Sequence, residues 1–153
     1  MERMVLGRTG LEAYRMGFGG IPIQRVSEAQ AVETVYHAIE KGVDFIDTSR
    51  VYTTSERRIG LALKRTDKKV ILASKSTSKT AEAARTDLET SLKELQRDYI
   101  DLYQCHFVRD EADYQKVIPN PPTPAFRPAF HAQTFTNVRW HTAGLLNKTC
   151  WFR

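Results

Sequence analysis

No apolar run in this 153-residue chain approaches the ~18–20 residues that a bilayer-spanning helix needs. The opening residues, Met1-Glu2-Arg3-Met4, lack the apolar stretch of a secretory signal. Cysteine is scarce. Cys105 and Cys150 lie far apart in sequence and fit no metal-ligand spacing. These absences lead us to expect a cytoplasmic protein with no membrane partner, no metal, and two reduced, unrelated thiols. Without a secretory signal, the sequon Asn147-Lys148-Thr149 reads as coincidence.

Acidic residues run out before the chain does. Residues 114–153 contain none, although Lys116, Arg127, Arg139, Lys148 and Arg153 lie there. Residues 1–113 hold 18 Lys+Arg and 18 Asp+Glu, so the whole net charge of +5 belongs to the final stretch. Five scattered cations make no stripe of the kind nucleic acids select, and no nucleic-acid partner is expected. Proline is equally uneven: five of the six, and both tryptophans, lie beyond Val117. Pro119-Asn120-Pro121-Pro122-Thr123-Pro124 excludes a helix interior or a central strand. Its PxxP spacing is also that of an SH3-type ligand, but an extended segment is the plainer reading. The chain therefore divides into a regular part, 1–117, and an irregular, Pro-rich, basic tail, 118–153.

The regular part alternates between strand and helix signals. Val5 to Met16 predicts a hairpin turning at Gly7-Arg8-Thr9-Gly10. A short strand from Arg15 runs into Gly19-Gly20. Ser27 and Gln30 have the spacing of a capping box, and Ala31, Val35, Ala38 and Ile39 recur behind it at helical intervals. Gly42 is placed to end that helix in a left-handed conformation. Val43–Asp47 predicts the next strand, and Ser55 begins a helix carrying Ile59, Leu61, Ala62 and Leu63. Val70–Ser74 is apolar enough for a strand covered on both faces. Thr80 caps a third helix carrying Ala84, Leu88, Leu92 and Leu95, and Tyr99–His106 predicts the fourth strand.

Such repeats imply α/β architecture with a parallel sheet and right-handed crossovers, either an open doubly wound sheet or part of a (βα)8 barrel. An open sheet predicts a G-x-G-x-x-G fingerprint after the first strand. Gly17 and Gly19 fit it, but Pro22 stands at the third glycine position and no helix signal follows at once. The barrel is favoured: an N-terminal hairpin plus about four βα units of a TIM barrel.

In a barrel of this kind, the C-terminal ends of the strands carry the chemistry. Asp47 ends the second strand, with Tyr52 in the loop after it; Lys75 ends the third and His106 the fourth. Each has a plain structural reading as a capping, packing or rim residue. Together they suit proton donation to a developing alkoxide. A phenol is a weak acid at neutral pH, a nearby ammonium is expected to lower its pKa, and a carboxylate holds the ammonium. An imidazole donates a hydrogen bond to the carbonyl oxygen or relays a proton. With a hydride donor above the carbonyl, this is a reductase site. His37 is expected at the surface, and Glu56 is expected to steady its helix start through the dipole.

The sequence resembles the aldo-keto reductases. The resemblance rests on Leu6-Gly7-Arg8-Thr9-Gly10-Leu11, Gly17-Phe18-Gly19-Gly20, and Phe45-Ile46-Asp47-Thr48-Ser49 with Tyr52 and Ser55-Glu56. It continues through Ala73-Ser74-Lys75 and Asp98–His106, and covers about residues 3–117. Residues 17–23 look most like bacterial or archaeal members. The resemblance implies a (βα)8 barrel closed at its bottom by the hairpin. It implies NADPH as hydride source, a small carbonyl compound as substrate, and a tetrad on Asp47, Tyr52, Lys75 and His106. In that tetrad Tyr52 is the proton donor, Lys75 and Asp47 tune it, and His106 orients the carbonyl. Gly20 and Asp47 are the positions expected beside the cofactor.

Two features depart from the family pattern. Thr53 stands where many members have glycine. After the fourth strand the match stops, and the loops that grip the cofactor phosphates in the family have no counterpart in 118–153. The break near Ile118 reads as a frameshift or damaged gene, or else as a short protein with a new tail. Four βα units leave open sheet edges and an uncovered inner face. Aggregation, pairing with another copy, or cover by the tail is expected. The family also includes potassium-channel β subunits, so a non-catalytic interaction protein and an inactive remnant are the alternatives to a reductase.

Overall fold

The computed structural model describes residues 2–7, 9–107, 112 and 116, and, as backbone, the strand positions 108, 136–138 and 148–152. Strands β1 (Arg3–Val5) and β2 (Glu12–Tyr14) form the expected hairpin, with Met4 opposite Ala13. Its turn needs left-handed backbone, and glycine supplies it at Gly7 (φ 56°) and Gly10 (φ 70°). Thr9 closes the turn from within. Its hydroxyl donates to Leu6 O at 2.6 Å and accepts from Leu11 N at 3.0 Å.

Beyond the hairpin come β3 (Phe18–Gly19), a 3-10 turn at Pro22–Arg25, α1 (Glu28–Glu40), β4 (Phe45–Asp47), α2 (Ser55–Leu63), β5 (Ile71–Ser76), α3 (Ala81–Leu95) and β6 (Leu102–Val108). The strands β3-β4-β5-β6 lie side by side in sequence order and are all parallel. That is the arrangement of half a (βα)8 barrel. Helix α1 packs on α2, and α2 on α3.

Local signals set the helix ends. Ser27 and Gln30 make the reciprocal capping box, and Thr80 accepts from Ala83 N at 3.2 Å. Gly42 (φ 99°) leaves α1 as expected; Gln96 (φ 55°) does the same after α3, without glycine. Ala31, Val35, Ile39, Ile46, Ile59, Leu72, Leu88 and Leu95 form one buried core between helices and sheet. Burying each large aliphatic side chain contributes about 1.5–3 kcal/mol. Helices α2 and α3 approach so closely that a Cβ on Gly60 would press into the backbone of Glu94 and lie 2.9 Å from the carbonyl carbon of Leu95.

The strands are displaced from their expected bounds. β4 begins at Phe45 rather than Val43, and β5 runs on to Ser76. β6 starts at Leu102, because Asp101 turns its carboxylate to accept from Leu72 N at 2.8 Å.

The tail, expected to be irregular, contributes two short strands: β7 (Thr136–Val138) and β8 (Lys148–Phe152). They pair antiparallel with each other, and β8 lies antiparallel on β6. The tail thus covers the edge of β6, one of the three outcomes expected of an open half barrel, while the rest of 118–153, its proline run included, falls outside the described residues. The β6–β8 register puts Cys105 opposite Cys150, so the two cysteines are cross-strand neighbours and not unrelated. Among the described residues, no helix is long and apolar enough to cross a membrane.

Candidate active site

Strand alternation aims the site. In β4, Ile46 is fully buried, so Asp47 takes the opposite face. The register sets Asp47 beside Ala73 in β5, and Lys75, two residues on, beside Gln104 in β6. From there the Lys75 ammonium donates to Asp47 Oδ2 at 2.6 Å and to the carbonyl of Thr48 at 2.7 Å. The Lys75 side chain is 11% exposed, and Asp47 is 35% exposed.

Tyr52 comes from the loop between β4 and α2, whose path is fixed by its own backbone. Tyr52 N donates to Ser49 O at 3.0 Å, and Ser55 N donates to Tyr52 O at 2.7 Å. The phenol ring lies over Lys75, with Nζ 5.3 Å from the ring centroid. His106 meets the ring edge-on, at 6.4 Å between centroids and 87° between planes. All four expected side chains thus converge on one rim.

The electrostatics differ in one respect from expectation. The Tyr52 pKa is raised above its ordinary value, first by burial and then by the negative charge of Asp47. The expected lowering by an ammonium is not what this arrangement produces. Lys75 is 2.6 Å from Asp47, so its charge is largely compensated where the phenol sits. The His106 pKa is lowered, first by burial and then by Lys75, with Asp47 opposing. Its Nδ1 is buried without a hydrogen-bond partner among the described residues.

Gly20, expected beside a cofactor, is buried and tied to the protein. Its N donates to Asp47 O at 2.7 Å, and its O accepts from the Ser55 hydroxyl at 2.9 Å. A Cβ there would lie 2.5 Å from Ser55 Oγ and 3.0 Å from Thr48 Oγ1. The visible reason for glycine is this close approach. Thr53 has a positive φ of 36°, the left-handed region where glycine is at home, and its hydroxyl donates to Gln24 Oε1 at 2.8 Å. His37 is exposed on α1, as expected.

Glu56 does more than steady a helix start. It does sit in the first turn of α2, but its side chain is only 2% exposed. It pairs with Arg50 and accepts from the Ser74 hydroxyl at 2.6 Å. Arg50 and Glu56 flank Tyr52 in sequence, and nothing local says that the chain folds back to join them.

The aldo/keto reductase family model matches residues 15–120. L-galactose dehydrogenase of Arabidopsis thaliana is 37% identical over 123 residues, which span 69% of this chain and 38% of that protein. The aldo-keto reductase YhdN of Bacillus subtilis is 37% identical over 126 residues, 70% of this chain and 38% of the relative. The chain therefore spans about two fifths of the length of these curated relatives. Among solved structures, a holo-form aldo-keto reductase from Bacillus halodurans superposes with a TM-score of 0.75 at 25% identity, covering 86% of this chain and 49% of that one. A thermostable aldo-keto reductase in complex with the inhibitor epalrestat also gives 0.75, at 27% identity, over 86% of this chain and 52% of its own. The order of parallel strands, the convergence of four polar side chains on their rim and the family match all lie in the same stretch of sequence, and by that agreement the chain belongs to the aldo/keto reductase family.

Proposed function

We propose that this chain carries the proton-delivering side of a carbonyl reductase site, acting on an aldehyde or ketone with Tyr52 as proton donor. The observation that carries this reading is the Lys75 ammonium, held by Asp47 at 2.6 Å and lying 5.3 Å from the centroid of the Tyr52 ring. The raised pKa keeps the phenol protonated at neutral pH, so a proton is available at its oxygen. The lowered pKa keeps His106 neutral there, able to donate one hydrogen bond to a carbonyl oxygen without adding charge. As negative charge grows on that oxygen, its rising basicity draws the proton from Tyr52, whose ring lies over the paired Lys75 ammonium.

The reduction needs a hydride, which NADPH supplies when bound. The rim fits the reactive end of such a cofactor. Asp47 is partly exposed, and its Oδ2 is engaged by Lys75. Asp47, with Gly20 shaping the floor beneath it, is the part of this chain that would hold the nicotinamide end. Grip on the phosphates belongs, by the resemblance, to loops beyond the fourth strand.

The test is NADPH-dependent reduction of a reactive aldehyde by the chain and by Tyr52→Phe. Turnover abolished in the variant supports the assignment; equal turnover sinks it. A second reading, a non-catalytic scaffold protein, is favoured by the antiparallel seating of β8 on the edge where a barrel would add its next parallel strand. Fluorescence titration separates the two: NADPH binding supports the reductase, and no binding at millimolar NADPH supports the scaffold. Self-association through an outer strand of the sheet, β3 at one side or β7 at the other, belongs to the same proposal, and sedimentation velocity reads it directly.

A further inference from the structure

The loop that carries Tyr52 is attached to β5 by more than its backbone. Arg50 N donates to Lys75 O at 2.9 Å, and the Ser49 hydroxyl reaches the same oxygen at 3.1 Å. Beneath these contacts lies Glu56, whose two carboxylate oxygens face different elements. Oε1 accepts from Ser74, the residue just before Lys75 in β5, and Oε2 pairs with Arg50, two residues before Tyr52. Glu56 and Ser74 are buried, and the Arg50 side chain is 22% exposed. Glu56, placed just past the end of the loop that delivers Tyr52, thus ties the start of that loop to the strand that delivers Lys75.

Burying a carboxylate is costly unless it is paired and hydrogen-bonded, and a buried pair is weak evidence for stability as such. The place of this one suggests what it does. We infer that Glu56 is a positioning residue that, through Arg50 and Ser74, sets the Tyr52 ring against Lys75 and His106. The inference rests on the reading of those three as the reacting site. Glu56 itself faces away from that rim and touches neither Tyr52 nor Lys75 through its carboxylate.

The test uses the edge-on contact between Tyr52 and His106. A tyrosine ring shifts the proton resonances of an imidazole beside it, and the shift depends steeply on placement. Tyr52→Ala gives the His106 resonance position without that ring. In Glu56→Gln, the introduced amide oxygen still accepts from Ser74, but the charge that holds Arg50 is gone. The His106 signals are expected to move towards their Tyr52→Ala position. Parent-like His106 signals in folded Glu56→Gln would overturn the inference, even with a lowered melting temperature, because Glu56 would then serve the fold alone.

The double variant Arg50→Met, Glu56→Gln removes both charges, and such replacements of a buried pair are often neutral in stability. It is expected to melt near the parent with displaced His106 signals. Recovery of the parent signals in the double variant would also overturn the inference. So would failure of both variants to fold, since that makes Glu56 a folding residue. None of these readouts needs turnover. If the parent chain reduces no carbonyl while the signals behave as expected, the reductase reading fails and the positioning role stands.

Discussion

Lys75 and His106 are linked through charge: the ammonium of Lys75 is the second largest cause, after burial, of the lowered His106 pKa. Asp47, bound to Lys75 at 2.6 Å, pulls the other way. In Lys75→Met the larger of the two opposing cations is gone, leaving burial and the weaker effect of Lys79 against the carboxylate, so the His106 pKa is expected to rise. An NMR titration of the imidazole reads it, and a fall or no change would refute the coupling.

The same group makes stability depend on pH. The folded pKa of His106 lies below its ordinary 6.5, so protonation favours the unfolded chain. The stability associated with neutral His106 is fully present above about 6.5 and is lost as the pH falls through the depressed folded value. Melting curves between pH 7.5 and pH 5 are therefore expected to fall more steeply for the parent than for His106→Gln. Parallel slopes would contradict this.

Gly60→Ala is expected to cost about 1–3 kcal/mol, the range for overpacking a tight contact. Its Cβ would lie 2.9 Å from the carbonyl carbon of Leu95, and backbone there has little room to give. Alanine favours helix over glycine by about 0.5–1 kcal/mol, so a loss in spite of that gain isolates the packing. Gly19→Ala, which would meet nothing within 4 Å, is the control. Equal denaturation midpoints for the two variants would remove the close approach of α2 and α3.

Thr53 holds a φ of 36° that a β-branched residue adopts at a cost of about 1–2 kcal/mol. Its hydrogen bond to Gln24 is solvent-exposed and compensates little. Thr53→Gly is expected to stabilise the chain by about 0.5–1 kcal/mol, after the greater freedom of glycine in the unfolded chain is set against the relief. A lower melting temperature would mean that the Gln24 contact outweighs the strain.

The β6–β8 register is open to chemical capture. Direct partners on antiparallel strands have Cα atoms about 4.5–5.5 Å apart, inside the range that a disulfide spans. Mild oxidation is expected to join Cys105 to Cys150 within one chain, with loss of two protons and two electrons to the oxidant and a mass lower by two hydrogens. Cys150→Ser should abolish the product. Crosslinks only between chains would refute the register.

What the sequence disclosed was local or periodic. Ser27 and Gln30 are three residues apart and need nothing distant to become a capping box. Asp47, Lys75 and His106 were legible because strand ends can be counted and a parallel sheet gathers them on one rim. Glu56 was not, because its partners come from a loop that doubles back and from the next strand. The direction of the Tyr52 shift was also hidden, since a list of neighbouring charges omits burial, which here is the larger cause. The pairing of β8 with β6 joins residues some 45 positions apart, and no short pattern announces contacts of that range.

That pairing has a kinetic consequence. The backbone groups on the outer side of β6 are already engaged by Lys148–Phe152. Any strand offered by another molecule at this edge must first evict the resident one. Association there becomes an exchange reaction, whose rate levels off at high partner concentration to the spontaneous departure of β8.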